Sequence, residues 1–240
     1  VSEATTAALQ TLLVPYVLVT GRPRRWVDEL ALSLGSTGAA IVANGALTYD
    51  LATGAVIAAR TIAPAVARAC AETIRAAVPD ALFAVERTDG FAAEPGYPSV
   101  QPDPEAPQLP LADLTAVPML KLLCRSASHD SADELYAAAA AITAHHPVTL
   151  THSTGTVGLL EIAAAGVDKA AALAAHAASL GIDAVEVLAV GDGFNDVPML
   201  AWAGRGVAMA NAHPVALATA DEITATSDQE GVAAVLASLR

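Results

Sequence analysis

Apolar residues along this chain fall into short buried runs separated by longer segments with helical spacing, and that alternation organises the first half of the sequence. Pro15-Tyr16-Val17-Leu18-Val19 is a β-branched and aromatic run of strand length that ends in Thr20-Gly21-Arg22-Pro23. A helix is expected over about 24–34, with Pro23 suited to its first turn. Ala39 to Val42 reads as a second buried strand closed by Asn44-Gly45. Tyr49 and Val56-Ile57 bracket Thr53-Gly54 as a hairpin, and 64–77 reads as helix. The residues from Ala7 to Leu13 read as the end of a helix that almost abuts the first strand.

The pattern then changes. Phe83 to Arg87 alternates as a half-buried strand does. The segment 94–118 is rich in Pro and Asp, with room for one short helix. Met119 to Cys124 and Val148 to His152 read as strands flanking a helix over 131–145, whose Ser131 and Glu134 have capping-box spacing. Beyond 155 the strand–helix alternation resumes, with a helix over 168–180, a buried strand at Val187 to Val190 and a short helix over 197–203. Strands at Val207 to Met209 and at Glu222-Ile223 follow. The expected architecture is α/β, a Rossmann-like core over 1–71 and 156–240 with a largely parallel sheet, interrupted by a small α+β insert over 72–155.

Composition narrows the function classes. Hydrophobic residues make up 54% of 240 and charged residues 15%, which suits packed domains and excludes a disordered chain. The net charge of −13 argues against nucleic acid as a partner, because phosphate-backbone binding needs clustered cations. An anionic small molecule stays compatible if a metal ion reverses the local field. No apolar run reaches the length of a membrane span, and the first residues have no signal-peptide pattern. Cys70 and Cys124 read as core thiols of a reducing compartment, with a disulfide as the other reading, so a cytoplasmic location is expected.

Candidate chemistry gathers where strands end. Val190-Gly191-Asp192-Gly193-Phe194-Asn195-Asp196 sends out two carboxylates four residues apart at a buried strand's carboxyl end, where ligands of parallel sheets collect and hard oxygens suit Mg²⁺. The same residues would also make an Asp-Gly turn with a helix cap behind it. Thr20 and Gly21 offer a hydroxyl and backbone N–H groups to a phosphoryl oxygen, and Arg22 stands beside them. Lys169 is one of two lysines, the other being Lys121, and it opens a helix, where the dipole disfavours a cation unless an anion is near. Asn44 and Asn211 follow other strand ends. His145, His146 and His152 lack metal-site spacing.

Taken as an ordered set, Thr20-Gly21-Arg22-Pro23, Lys169 and Gly191-Asp192-Gly193-Phe194-Asn195-Asp196 resemble motifs two, three and four of the haloacid dehalogenase-like hydrolases. Asn44-Gly45-Ala46, Gly158 to Ile162, Gly166-Val167-Asp168-Lys169 and the run from Ala201 to His213 resemble the Cof-type group, subfamily IIB. The resemblance implies a Rossmann-like core with a C2-type cap and a Mg²⁺-dependent phosphatase acting on a small phosphorylated metabolite. It gives Thr20, Gly21, Lys169, Asn195 and Asn211 to the phosphoryl group, with Lys169, Thr20 and Asp196 catalytic. Asp192 and Asp196 go to the metal, and Arg22, Asn44, Glu94 and Arg125 to the substrate side. It also implies an aspartyl-phosphate formed on the first Asp of an Asp-x-Asp pair. No such pair occurs in the 240 residues. The reading that follows is that the pair belongs to a segment of the polypeptide before Val1, and the competing one is a phosphate-binding protein without turnover.

Overall fold

A computed structural model describes residues 1–99, 105–153 and 158–239. The chain divides into two compact units, one made of 1–58 and 168–240, the other of the inserted stretch 59–167. The insert is thus wider than the expected 72–155. The residues in between are mainly a helix and a strand that build the second unit's sheet layer.

The first unit begins with α1 (Glu3–Gln10), capped by the Ser2 hydroxyl. The strand expected over 15–19 is short, β1 (Leu18–Val19), and runs parallel to β2 (Ala39–Val42). Between them α2 (Arg24–Leu34) turns Val27, Ala31 and Leu34 inward at helical spacing. The sheet continues through the antiparallel β3 (Leu47–Asp50) and then β4 (Val56–Ala59), and the Thr53-Gly54 turn joins those two as the sequence pattern predicts.

The second unit opens with α3 (Pro64–Ala77), which places its proline in the first turn, where the missing N–H costs nothing. A five-stranded sheet follows, formed by β5 (Leu82–Glu86), β6 (Phe91–Ala93), β7 (Lys121–Arg125), β8 (Val148–His152) and β9 (Leu159–Ala164). Its order is β6-β5-β7-β9-β8, all antiparallel. Among the described residues of the polar stretch between β6 and β7 is one short helix, α4 (Leu111–Leu114). In α5 (Ala132–Thr143), Ser131 accepts from Glu134 N, while the Glu134 carboxylate takes the N–H of Asp130.

One face of this sheet packs Phe83, Val85, Leu122, Cys124, Leu160 and Ile162 against Cys70 and Ile74 of α3 and Leu135 of α5. The alternate positions carry charge. Glu86 lies opposite Lys121 across β5 and β7, and Lys121 pairs with Glu161 of β9, all three nearly solvent-free. Cys70 and Cys124 are free and buried, which removes the disulfide reading.

The chain then returns to the first unit with α6 (Lys169–Ser179), β10 (Leu188–Gly191), α7 (Val197–Trp202), β11 (Arg205–Met209), α8 (Pro214–Thr219), β12 (Glu222–Thr224) and α9 (Gly231–Ala237). β10, β11 and β12 form a parallel sheet in that order. Ile41 of β2 shares one apolar core with Leu173, Ala189, Met199, Leu200, Ala208 and Ala216, so both of the unit's sheets are fixed by the same packing. The architecture is the expected α/β Rossmann-like core with an inserted α+β cap. No helix among the described residues is long and apolar enough to cross a membrane.

Candidate active site

The carboxyl ends of β1, β2 and β10 and the start of α6 bring the candidate residues of the first unit together. Asp168 caps α6 by accepting from Ala171 N at 2.7 Å. This makes Lys169 the first helical residue, with its ammonium at the positive end of the dipole. An acid compensates: Lys169 Nζ donates to Asp196 Oδ1 at 2.5 Å, and both side chains are buried. The other oxygen, Asp196 Oδ2, accepts from the amides of Asp192 at 2.9 Å and Gly193 at 2.8 Å. Both oxygens of Asp196 are therefore engaged.

Asp192, four residues earlier, is open to solvent. Its carboxyl is held above the ordinary carboxylate range, first by loss of hydration and then by the charge of Asp196, with Lys169 acting in the opposite sense. No other described residue donates a hydrogen bond to it. A hard oxygen that is exposed, unsaturated and burdened by a neighbouring negative charge fits a divalent cation such as Mg²⁺, which keeps several waters and takes one or two protein carboxylates. Asp192 is the residue that would hold it. Asp196, taken by lysine and backbone, would act on the cation through its charge and through solvent. The main chain at Asp192 is pinned from the other side, since its carbonyl accepts from His213 N at 2.8 Å. Sequence reasoning does not foresee this clamp, because a backbone donor leaves no mark in residue type.

The Thr20 to Arg22 loop sits against Asn44 and Asn195. A Cβ on Gly21 would lie 2.7 Å from Asn44 Oδ1 and 3.1 Å from Asn195 Nδ2, so this approach needs glycine. Thr20 Oγ1 accepts from Arg22 N at 3.1 Å, and the Arg22 side chain is exposed. Asn195 donates to Asn44 at 2.9 Å, and both are buried.

Thr20, Gly21, Asn44, Lys169, Asp192, Asn195 and Asp196 thus lie on adjoining elements of one unit. The remaining candidates are committed elsewhere. Asn211 is on the surface, its side-chain oxygen accepting from Ser227 N at 3.1 Å. Glu94 accepts from Phe83 N at 2.8 Å and pairs with Arg75, which makes it a staple inside the second unit. Arg125 is buried on β7, beside Tyr97.

Residues 1–236 match the family model described as haloacid dehalogenase-like hydrolase. The chain belongs to the haloacid dehalogenase-like hydrolases. Among curated relatives of this family, 74 residues are 47% identical to the 5-amino-6-(5-phospho-D-ribitylamino)uracil phosphatase YcsE of Bacillus subtilis, covering 31% of this chain and 30% of that protein. Less than a third of that relative's length is therefore matched. Among solved haloacid dehalogenase-like structures, BT1666 of Bacteroides thetaiotaomicron superimposes with a TM-score of 0.78 at 24% identity, over 100% of this chain and 88% of that one. The subclass IIB sugar phosphatase BT4131 does so with a TM-score of 0.79 at 18% identity, over 99% and 91%. At these identities the superpositions establish the fold alone.

Proposed function

We propose that this protein is a Mg²⁺-dependent phosphatase of the Cof-type, subfamily IIB, acting on a small phosphorylated metabolite. The observation that carries the reading is the buried Lys169–Asp196 pair set beside the open carboxylate of Asp192. A structural ion pair alone gives no reason to disfavour the charge of a second acid four residues away, whereas a site for a cation and an anion does. Thr20, Gly21 and Asn195 supply hydroxyl and amide donors on adjoining loops, and Lys169 neutralises charge on the phosphoryl oxygens. Mg²⁺, when bound at Asp192, would add Lewis-acid polarisation of those oxygens. Asp196 fixes the Lys169 ammonium and the Asp192 main chain at once. Two buried free thiols accord with a reducing, cytoplasmic setting.

In this family resemblance the phosphoryl group is transferred first to an aspartate, and that aspartate is not among the 240 residues. The competing reading is a protein that binds phosphate esters without turning them over. One assay separates the two. Release of phosphate from a generic aryl phosphate is followed alongside calorimetric binding of inorganic phosphate, each with and without Mg²⁺, on wild type and Lys169→Met. Metal-dependent release lost in the variant supports the phosphatase. Binding without release supports the second reading. Absence of both removes the phosphoryl site altogether.

A further inference from the structure

Three consecutive residues, Ala43, Asn44 and Gly45, have positive φ, at 52°, 58° and 97°. Left-handed backbone is disfavoured for any residue with a Cβ, and Ala43 has no polar side chain to offset it. The contacts of this turn indicate what the conformation achieves. Ala43 N donates to Arg22 O at 3.0 Å and Asn44 N donates to Thr20 O at 3.1 Å, so the turn holds the Thr20 to Arg22 loop by its main chain. The Asn44 side chain accepts from Asn195 Nδ2 at 2.9 Å. Gly45 lies against the start of α6, where a Cβ would come 2.3 Å from Asp168 O and 2.9 Å from Ala172 Cβ. Lys169 is the next residue after that carbonyl.

We infer that the 43–45 turn is the positioning element of the candidate site. Asn44 sets the amide of Asn195 against the Thr20 to Arg22 loop, and Gly45 sets how closely the helix bearing Lys169 approaches. The inference rests on the phosphoryl-site reading above and deepens it. Asn44 is 2% exposed, so it acts through its neighbours and does not touch the ligand. Its Nδ2 is buried with no partner, a cost consistent with a side chain kept for the bond at its oxygen. The left-handed run lets one short turn meet three separate site elements, which a relaxed turn of the same length would direct elsewhere.

The test uses the two lysines as reporters. Lysine labelled at the ε-carbon gives one NMR signal each for Lys121 and Lys169, assigned with Lys169→Met. Lys121, in the second unit, is the internal reference. Two variants are compared with wild type. Asn44→Gly keeps the left-handed backbone and removes the amide, and Gly45→Ala forces a side chain against Asp168. Asn44→Gly is expected to weaken inorganic phosphate binding in Mg²⁺ by about tenfold or more, the loss expected of an oriented donor network, with both lysine signals unmoved. Gly45→Ala is expected to weaken it similarly and to shift the Lys169 signal alone. A role in stability alone would move the melting temperature and leave these readouts at wild-type values.

If Gly45→Ala does not fold, Asn44→Gly still decides the matter. Unchanged phosphate affinity in every folded variant, with the Lys169 signal in place, overturns the inference. A wild type that binds no phosphate, with the Lys169 signal still shifted in Gly45→Ala, discards the phosphoryl reading and leaves the positional coupling standing.

Discussion

Asp192 and Asp196 are the same residue type four positions apart in opposite circumstances. Asp196 is saturated by a lysine and two amides, while Asp192 is exposed and disfavoured as an anion. Replacing them should therefore have different results. Asp192→Asn removes the open charge without removing a bond to another residue, so the metal-free variant should melt no lower than wild type. The stabilisation that Mg²⁺ gives wild type by binding the folded state should vanish in it. Differential scanning calorimetry across a Mg²⁺ titration checks both parts.

A third acid gives a pH signature. Asp80 accepts from the Ser126 and Ser128 hydroxyls and from Ser128 N, which hold its carboxyl down at about 2. A depressed folded-state value means stability present above the ordinary carboxylate range and lost as pH falls toward 2. Urea midpoints should converge between wild type and Asp80→Asn as pH is lowered from 5 to 2, wild type being the more stable at the upper end. A constant gap across that window would show that the serine bonds are not coupled to ionisation. Asp80 was invisible in the sequence, because its partners lie 46 and 48 residues away.

At the level of elements, legibility followed the locality of the cause. β2 was readable because all four of its residues are buried, and the β3–β4 hairpin because Thr53-Gly54 marks its own turn. β9 was missed. Leu159-Leu160-Glu161-Ile162-Ala163-Ala164 carries a glutamate and two alanines, which weaken a strand pattern, and its buried Glu161 makes sense only through its ion pair with Lys121, forty positions earlier. β6 was missed too, because Phe91-Ala92-Ala93 is short and two of its three residues are alanine. The site motifs were legible because strand ends and helix starts are local features. The partners of Asp196 and Glu94 were not, because they are supplied by the fold.

The Lys121–Glu161 pair also makes an element-scale prediction. Breaking a buried pair by changing one partner strands a charge and costs about 3–5 kcal/mol, whereas apolar replacement of both is often near neutral. Glu161→Gln and Lys121→Met should each fall in that destabilising range. Because Glu86 also faces Lys121, the triple change Glu86→Leu, Lys121→Met and Glu161→Leu should recover most of the loss in denaturant melts. Equal destabilisation in the single and triple variants would mean that shape, and not charge pairing, holds β7 to β9.

The whole molecule is two units with separate cores, and the two cysteines report on one of them. Burial pushes the Cys70 thiol up to about 11 and the Cys124 thiol up to about 12, and both lie in the core of the second unit. The native protein should therefore be silent to a thiol-reactive aromatic disulfide at pH 8 and take up two equivalents when unfolded. Rapid labelling without denaturant would mean that the second unit opens by itself on the timescale of the reagent.

The way the chain is divided between the units has a kinetic side. The first unit is assembled from two stretches separated by the whole of the insert, so bringing its halves together from an unfolded chain carries a loop-closure entropy on the order of 4 kcal/mol for a loop of roughly a hundred residues. The insert is continuous and antiparallel, with contacts nearer in sequence. Near its two ends, Arg60 donates to the carbonyls of Ala165 and Gly166, so its folding brings positions 60 and 166 together. Once that has happened the long loop is already closed, and β2 and α6 meet as if they belonged to a much shorter chain. The insert then acts as a clasp during folding, and its hydrogen-exchange protection should rise before that of β10 and β11 in a refolding pulse experiment.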